Sequence, residues 1–390
     1  MTSVGEGRGE DADRAGGEDG HLGDSGGDAQ QPKIWRPTGG QVALSLGALA
    51  LAAGLIAFVL PKAAGTNWTE AVQVMARLRP FDVLLITVLW AAGLWLYTFV
   101  YTGSMPGISH SKALALNLTG SLVSNLLPFG GAAGVANTYA LTFSWGFTGV
   151  ATSLMVLVSG LANLVMRLLL VLIGLVALQL TSTNLSAAGG RITGSTVLAT
   201  AAVTVVVVGM LFSARFAGAV GSLGDVVLGA VQRLLRRPQR SLSFRESAVD
   251  MQQRAMPLLK RGWPAVAFGM CAYYATETLF FGIALHALGA EISWLEVVAA
   301  FALSRVLTSA TVTPSGVGIS EVGTAAALVL FGTPPAVAAA GVLILGFYTY
   351  LVEIPAGFAG WVWVASMRSW RVRRAEPPED ASYGELAPGP

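Results

Sequence analysis

Cysteine is nearly missing from this chain, Cys271 being the only one among 390 residues. A lone thiol excludes an internal disulfide and any cysteine-rich metal site. Histidine is almost as scarce. His21, His110 and His286 are scattered, with no carboxylate or thiol at ligand spacing, so no metal site and no cofactor are expected. Charge is the third scarcity. Asp, Glu, Lys and Arg make up only 12% of the residues, about half the share usual in soluble domains. With 54% apolar residues and a mean hydropathy of +0.63, the composition excludes a water-soluble fold. Signatures of chemistry are lacking too. The chain has no Ser-x-Gly elbow with an acid and a histidine, no phosphate-cradling glycine loop before Lys-Ser/Thr, and no His-Glu-x-x-His. The expectation is a protein that is not an enzyme, does not use ATP directly and binds no nucleic acid.

What the chain does have is long apolar runs. Crossing roughly 30 Å of hydrocarbon at about 1.5 Å per residue takes about 20 apolar residues. Spans are expected near 41–60, 81–102, 148–180, 194–213, 263–288 and 335–365. The third and sixth exceed 30 residues and must tilt, kink or begin in the interface. Residues 1–40, rich in Gly, Asp and Glu, cannot bury enough apolar surface to fold and read as a disordered acidic tail. The first run ends without an Ala-x-Ala cleavage pattern, so an uncleaved span is expected there. Residues 367–390 read as a basic, disordered tail.

Two further apolar stretches, 111–146 and 297–332, are interrupted in the middle by Leu127-Pro128-Phe129-Gly130-Gly131 and Thr313-Pro314-Ser315-Gly316-Val317. Proline and glycine break helices, and in hydrocarbon the freed backbone groups need a polar partner. Each stretch reads as a re-entrant hairpin that enters and leaves by the same face, or else as two shorter full spans. The expected fold is an all-α polytopic membrane protein with about six full spans and two hairpins, eight or more helices in all.

Orientation follows Lys and Arg. Segment 214–262 carries nine of them, including Arg215, Arg233, Arg236, Arg237 and Arg261, against Asp225, Glu246 and Asp250. Arg368, Arg371, Arg373 and Arg374 follow the last span, and Lys33 and Arg36 precede the first. An even number of crossings between these clusters puts all of them, and both termini, in the cytoplasm. Lys62, Arg77 and Arg79 then fall outside, held by an interfacial segment 68–80. The basic loop 214–262 either lies on anionic lipid headgroups or serves as a positive-inside anchor.

The two breaks belong to an internal repeat. Shifted by 186 residues without a gap, Pro128 meets Pro314, and Gly130, Gly146, Gly160 and Gly174 meet Gly316, Gly332, Gly346 and Gly360. Four glycine coincidences stand where about one is expected by chance. Repeat 1 spans about 103–213 and repeat 2 about 263–366, joined by the loop 214–262. Three crossings between the breaks make the repeats inverted, the topology of alternating access, with a binding site at the repeat interface.

Ionisable groups in a bilayer are costly and mark function by default. They are Arg167, Glu277, Arg305, Glu321 and Glu353. The repeat places Arg167 opposite Glu353, so the two either pair across the repeat interface or each snorkel and pair locally. Arg305 and Glu321 flank the second break. Either Arg305 offers a planar donor fork to a phosphate beside the backbone of Gly316 and Gly318, or it forms an architectural pair with Glu321. Asn125, Pro128, Gly130 and Gly131 supply the first repeat's side of the site, with Pro314 on the second. Ser121, Ser124, Asn137, Thr138 and Tyr139 offer further hydrogen-bonding groups at mid-membrane depth. Tyr273, Tyr274, Trp90, Trp95, Trp361 and Trp363 read mainly as interfacial or packing aromatics.

Pro314-Ser315-Gly316-Val317-Gly318-Ile319-Ser320-Glu321 resembles the Pro-x-Gly-x-Gly-x-x-Glu element of the lysylphosphatidylglycerol synthase transmembrane-region family. Asn125-Leu126-Leu127-Pro128-Phe129-Gly130-Gly131 resembles that family's first-repeat element, and the likeness covers about 41–366. The resemblance implies a flippase-like domain of the bacterial plasma membrane, which in two-domain relatives moves an aminoacylated phospholipid to the outer leaflet. The chain departs from it twice. About two dozen residues follow the expected last span, so no aminoacyl-transfer domain is expected after it, and Ala132, Ala133 and Val135 stand where family members often carry Glu and Arg. The expected function is a lipid flippase-like transporter for a phospholipid, glycolipid or polyprenyl-linked lipid with a polar or anionic headgroup, in a chain that is free to form oligomers. The alternatives are a membrane enzyme acting on a lipid or lipid-linked sugar, with Glu321 or Glu277 as base, and an accessory subunit without transport.

Overall fold

In hydrocarbon a backbone N–H or C=O finds its partner within its own segment or in a neighbouring one, so apolar runs fold as helices. The structure, a computed structural model, describes residues 53–126, 130–181, 198–206, 244–308 and 316–375, with a few isolated positions between 47 and 222. The described residues contain no strand. In chain order the helices are α1 (Leu55–Ala64), α2 (Trp68–Met75), α3 (Pro80–Ser104), α4 (His110–Leu126), α5 (Gly130–Ser144) and α6 (Gly149–Thr181). There follow α7 (Phe244–Ala287), α8 (Trp294–Leu307), α9 (Ile319–Leu330), α10 (Pro335–Gly346), a π-helical turn (Phe347–Val352) and α11 (Glu353–Ala375).

Among the described residues, four segments are long and apolar enough to cross a membrane: Pro80–Ser104, Gly149–Ala177, Lys260–Ala287 and Pro335–Ser366. They coincide with the runs expected at 81–102, 148–180, 263–288 and 335–365. The chain is an all-α, multi-pass membrane protein. Pro128, Pro314 and the tail 1–40 lie outside the described residues, and the runs 41–60 and 194–213 and the basic loop are described only in part. Two boundaries differ from expectation. Residues 244–262, read as loop, are the opening turns of α7, and α11 runs on to Ala375, into the segment read as tail.

Both interrupted stretches are helical pairs. α4 and α5 have 17 and 15 residues, and α8 and α9 have 14 and 12. At about 1.5 Å per residue each leg is about 18–26 Å long, short of a roughly 30 Å hydrocarbon layer. The legs of each pair fold back on one another. Gly134 meets the Ser124 side chain, while further from the bend Asn137 Nδ2 donates to Thr119 Oγ1 at 3.0 Å. In the second pair Gly316 meets Thr308 and Gly323 meets Leu307.

Helix ends repeat at the same 186-residue offset. After α5, the N–H of Gly146 donates to the Phe143 carbonyl and that of Phe147 to the Thr142 carbonyl, with Gly146 at φ 84°. After α9, Gly332 donates to Val329 and Thr333 to Leu328, with Gly332 at φ 89°. Both are Schellman ends, which need a residue in the left-handed region and hence favour glycine. Pro355 causes the π-helical turn in the last span. It has no N–H to return to the preceding turn, so the helix widens just upstream.

Packing is set where glycine lets backbones touch. α3 and α7 cross antiparallel: Gly93 faces Glu277, Tyr97 faces Tyr273, Val100 faces Gly269, and Gly103 lies against Gly262. These are corresponding helices, each leading into its own hairpin. The last helices are exchanged. Gly174 of α6 packs on Ala299 and Ala302 of α8, while Gly357 and Gly360 of α11 pack on Leu118, Thr119 and Leu122 of α4. A large side chain at the α3–α7 crossing must therefore separate the backbones. Gly262→Leu is expected to lower stability by about 1–3 kcal/mol. Gly54→Ala, at an open helical position, is expected to be neutral or stabilising by up to about 1 kcal/mol. Thermal unfolding in detergent checks both.

Candidate functional site

Polar side chains recurring at i, i+4 and i+8 share one helix face. α4 carries Asn117, Ser121 and Asn125 at that spacing, α6 carries Ser159, Asn163 and Arg167, and α3 carries Tyr97 and Tyr101. The fold turns these three stripes toward one another. They line a cavity of about 500 Å³, together with Ser124 and with Gly131, Gly134 and Thr138 of α5. Tyr274 of α7 reaches its wall, donating from its hydroxyl to Asn163 Oδ1 at 2.6 Å. Tyr97 packs edge-on against Tyr101 and Tyr273 with ring centroids 5.3 and 5.2 Å apart. Arg167, the cation among the lining residues, acts electrostatically on Tyr97.

A second cavity, of about 580 Å³, lies where α9 meets α10 and the π-helical turn, with α1, α2 and α3 closing it. The two cavities share three positions at the 186-residue offset. Gly131, Val135 and Gly160 line the first, and their counterparts Val317, Glu321 and Gly346 line the second. Their chemistry differs. Around Glu321 and Tyr350 the second wall is mainly aliphatic and aromatic, with Ile56, Met75, Ile86 and Leu343 among its residues.

The expected site residues divide into three groups. Asn125, Gly131 and Arg167 line the polar cavity, and Gly131 has open space where a Cβ would stand. Asn125 also donates from Nδ2 to the Thr349 carbonyl in the π-helical turn at 3.4 Å, tying the first hairpin to the last span. Gly130, Gly316 and Gly318 serve the backbone. Gly130 lies against the Ser124 backbone, and Gly316, at φ 73°, stands with its would-be Cβ 2.6 Å from Thr308 Cα. Gly318, at φ 89°, donates its N–H to Glu321 Oε2 at 2.6 Å, and the Ser320 hydroxyl donates to the same oxygen at 2.9 Å. Glu321 therefore closes the first turn of α9, as an acid at N3 does in a capping box.

The third group is electrostatic. Arg305 stacks over the Phe301 ring at 4.8 Å and lies in the field of Glu277, Glu321 and Glu353. Glu277 and Glu321 are almost fully buried, at 6% and 5% exposure. Glu353 lies within hydrogen-bonding reach of Ser121 and Asn125. Asn125 is thus common to the polar cavity and the charged group. Tyr97, Tyr101, Asn117, Ser159 and Asn163 were missed as site residues although their spacing of four was readable. Tyr273 and Tyr274, read as interfacial or packing aromatics, stand beside the cavity.

Residues 45–357 match the family model described as the lysylphosphatidylglycerol synthase TM region. No curated protein matches the chain.

The closure of α9 has a measurable consequence. Glu321→Ala leaves the Gly318 N–H and the Ser320 hydroxyl without their acceptor and is expected to cost about 1–3 kcal/mol. Glu321→Gln keeps a carbonyl oxygen there and should retain most of the stability. Gly316→Ala must place a Cβ into Thr308 at positive φ and should destabilise by at least about 1–2 kcal/mol. Thermal unfolding of the three variants in detergent separates them.

Proposed function

The chain belongs to the lysylphosphatidylglycerol synthase transmembrane-region family, and from that premise we propose that it moves a lipid between the leaflets of a bacterial plasma membrane. Membership makes it a multi-pass membrane protein of lipid handling. The finer reading is transport without covalent change: the headgroup enters the polar cavity of the first repeat while the acyl chains stay in the bilayer. The observation that carries it is that cavity itself, a hydrogen-bonding chamber with an arginine on its wall inside a bundle of apolar helices.

Three features support alternation between two faces. The corresponding helices α3 and α7 run antiparallel, the last helices are exchanged between the repeats, and corresponding cavities flank the second leg of each hairpin. Repeats related in this way open opposite faces when they exchange conformations. In this reading both termini are cytoplasmic, the basic segment 214–262 rests on anionic lipid, and Arg167 and Glu353 report on the repeat interface from corresponding positions.

Purified protein in proteoliposomes with headgroup-labelled lipids tests the reading. Protein-dependent translocation of an unaltered lipid is expected. A new lipid species would make the chain an enzyme, and neither outcome with any lipid would make it an accessory subunit. In a Cys271→Ala background, Gly131→Cys and Val317→Cys are expected to be labelled from opposite compartments. Labelling of both from one side rejects the inverted arrangement.

A further inference from the structure

Of the three positions that line both cavities, one sets an apolar residue against an ionisable one, Val135 in the first and Glu321 in the second. The first wall offers amides and hydroxyls from Asn117, Ser121, Asn125, Ser159 and Asn163, with Arg167 as its cation and no carboxylate among its lining residues. Amides and hydroxyls both donate and accept, which suits a headgroup bearing several hydroxyls. A guanidinium presents a planar donor fork that fits a phosphate. An ammonium headgroup would meet Arg167 and find no acid on the wall. Glu353 reaches Ser121 and Asn125, but it lies in the field of Arg305 and is not a lining residue. In the second cavity an anion would face Glu321, whose Oε2 is committed to Gly318 and Ser320, in mainly apolar surroundings.

We propose that each chain has one headgroup site, the first-repeat cavity, and that it selects lipids whose headgroup carries net negative charge and hydroxyls, with the phosphate on Arg167. This deepens the transport reading and rests on it for the lipid nature of the ligand. The volume of about 500 Å³ falls in the range of small-ligand pockets, about 300–1,000 Å³, and accommodates a phosphate with an attached polyol. Arg167 acts here as the specificity-determining residue, and Val135 as the position whose apolar side chain keeps the wall free of acid.

Binding by the full chain in phosphatidylcholine nanodiscs, counted by native mass spectrometry, tests this. The probes are phosphatidylglycerol and phosphatidylinositol (anionic, hydroxylated), phosphatidylethanolamine (zwitterionic) and lysylphosphatidylglycerol (cationic). The first two are expected to bind at one per chain and at least about tenfold more tightly than the others, as one charge-assisted contact allows. Arg167→Gln should abolish that preference, while Arg77→Gln, an exposed cation outside both cavities, should preserve it. Val135→Glu should shift the preference toward the cationic lipid, a gain that misfolding does not produce. Equal or tighter binding of the cationic lipid, two headgroup sites per chain, or selectivity surviving Arg167→Gln would overturn the proposal. Glycerol 3-phosphate or inorganic phosphate competing as well as the whole lipid would assign the site to a soluble anion and overturn it too. Selective binding without translocation in proteoliposomes rejects the transport reading and leaves the site standing.

Discussion

The antiparallel contact of α3 with α7 is the interaction on which the remaining geometry depends. Helices in a bilayer gain little from hiding apolar surface, because lipid tails are as apolar as leucine, so association rests on van der Waals contact and hydrogen bonds. Gly103, Gly262 and Gly269 bring the two backbones together, and Gly93 makes room for Glu277 on the same seam. Close approach at these points fixes where each helix delivers the chain into its hairpin. It also sets Tyr97 against Tyr273, which places the aromatic edge of the polar cavity.

Short hairpin legs create a second constraint. A helix too short to cross leaves its ends inside the protein, where backbone groups must find partners other than water. The structure meets this need locally. Glu321 and Ser320 close the start of α9, and Asn125 reaches a carbonyl of the π-helical turn. Residues that resemble ligand-binding groups are therefore in part the means by which a broken helix is tolerated at all. Gly316 and Gly318 belong to the same solution, since both hold left-handed conformations that a side chain would strain.

Divergence between the repeats follows from this division of tasks. At one position the second repeat keeps an acid, spends it on backbone, and surrounds it with apolar side chains. At the corresponding position the first repeat has Val135, and its polar groups stand on helix faces that line a chamber. In the transport reading proposed above, this unequal chemistry assigns cargo binding to one half and leaves the other mainly as a moving part.

Much of the fold could be read from the chain because its causes are local. Apolar runs must be helical in hydrocarbon, Pro128, Pro314 and their glycines interrupt two of them, and glycines at a constant offset betray the duplication. The four long spans and the family followed, and each interrupted stretch is a pair of helices. The placement of Arg167 within the cavity and the pairing of Tyr274 with Asn163 were decided only by tertiary structure. Each depends on which faces of distant helices meet, and that is governed by close glycine contacts across more than a hundred residues of sequence, which periodicity along one helix does not encode.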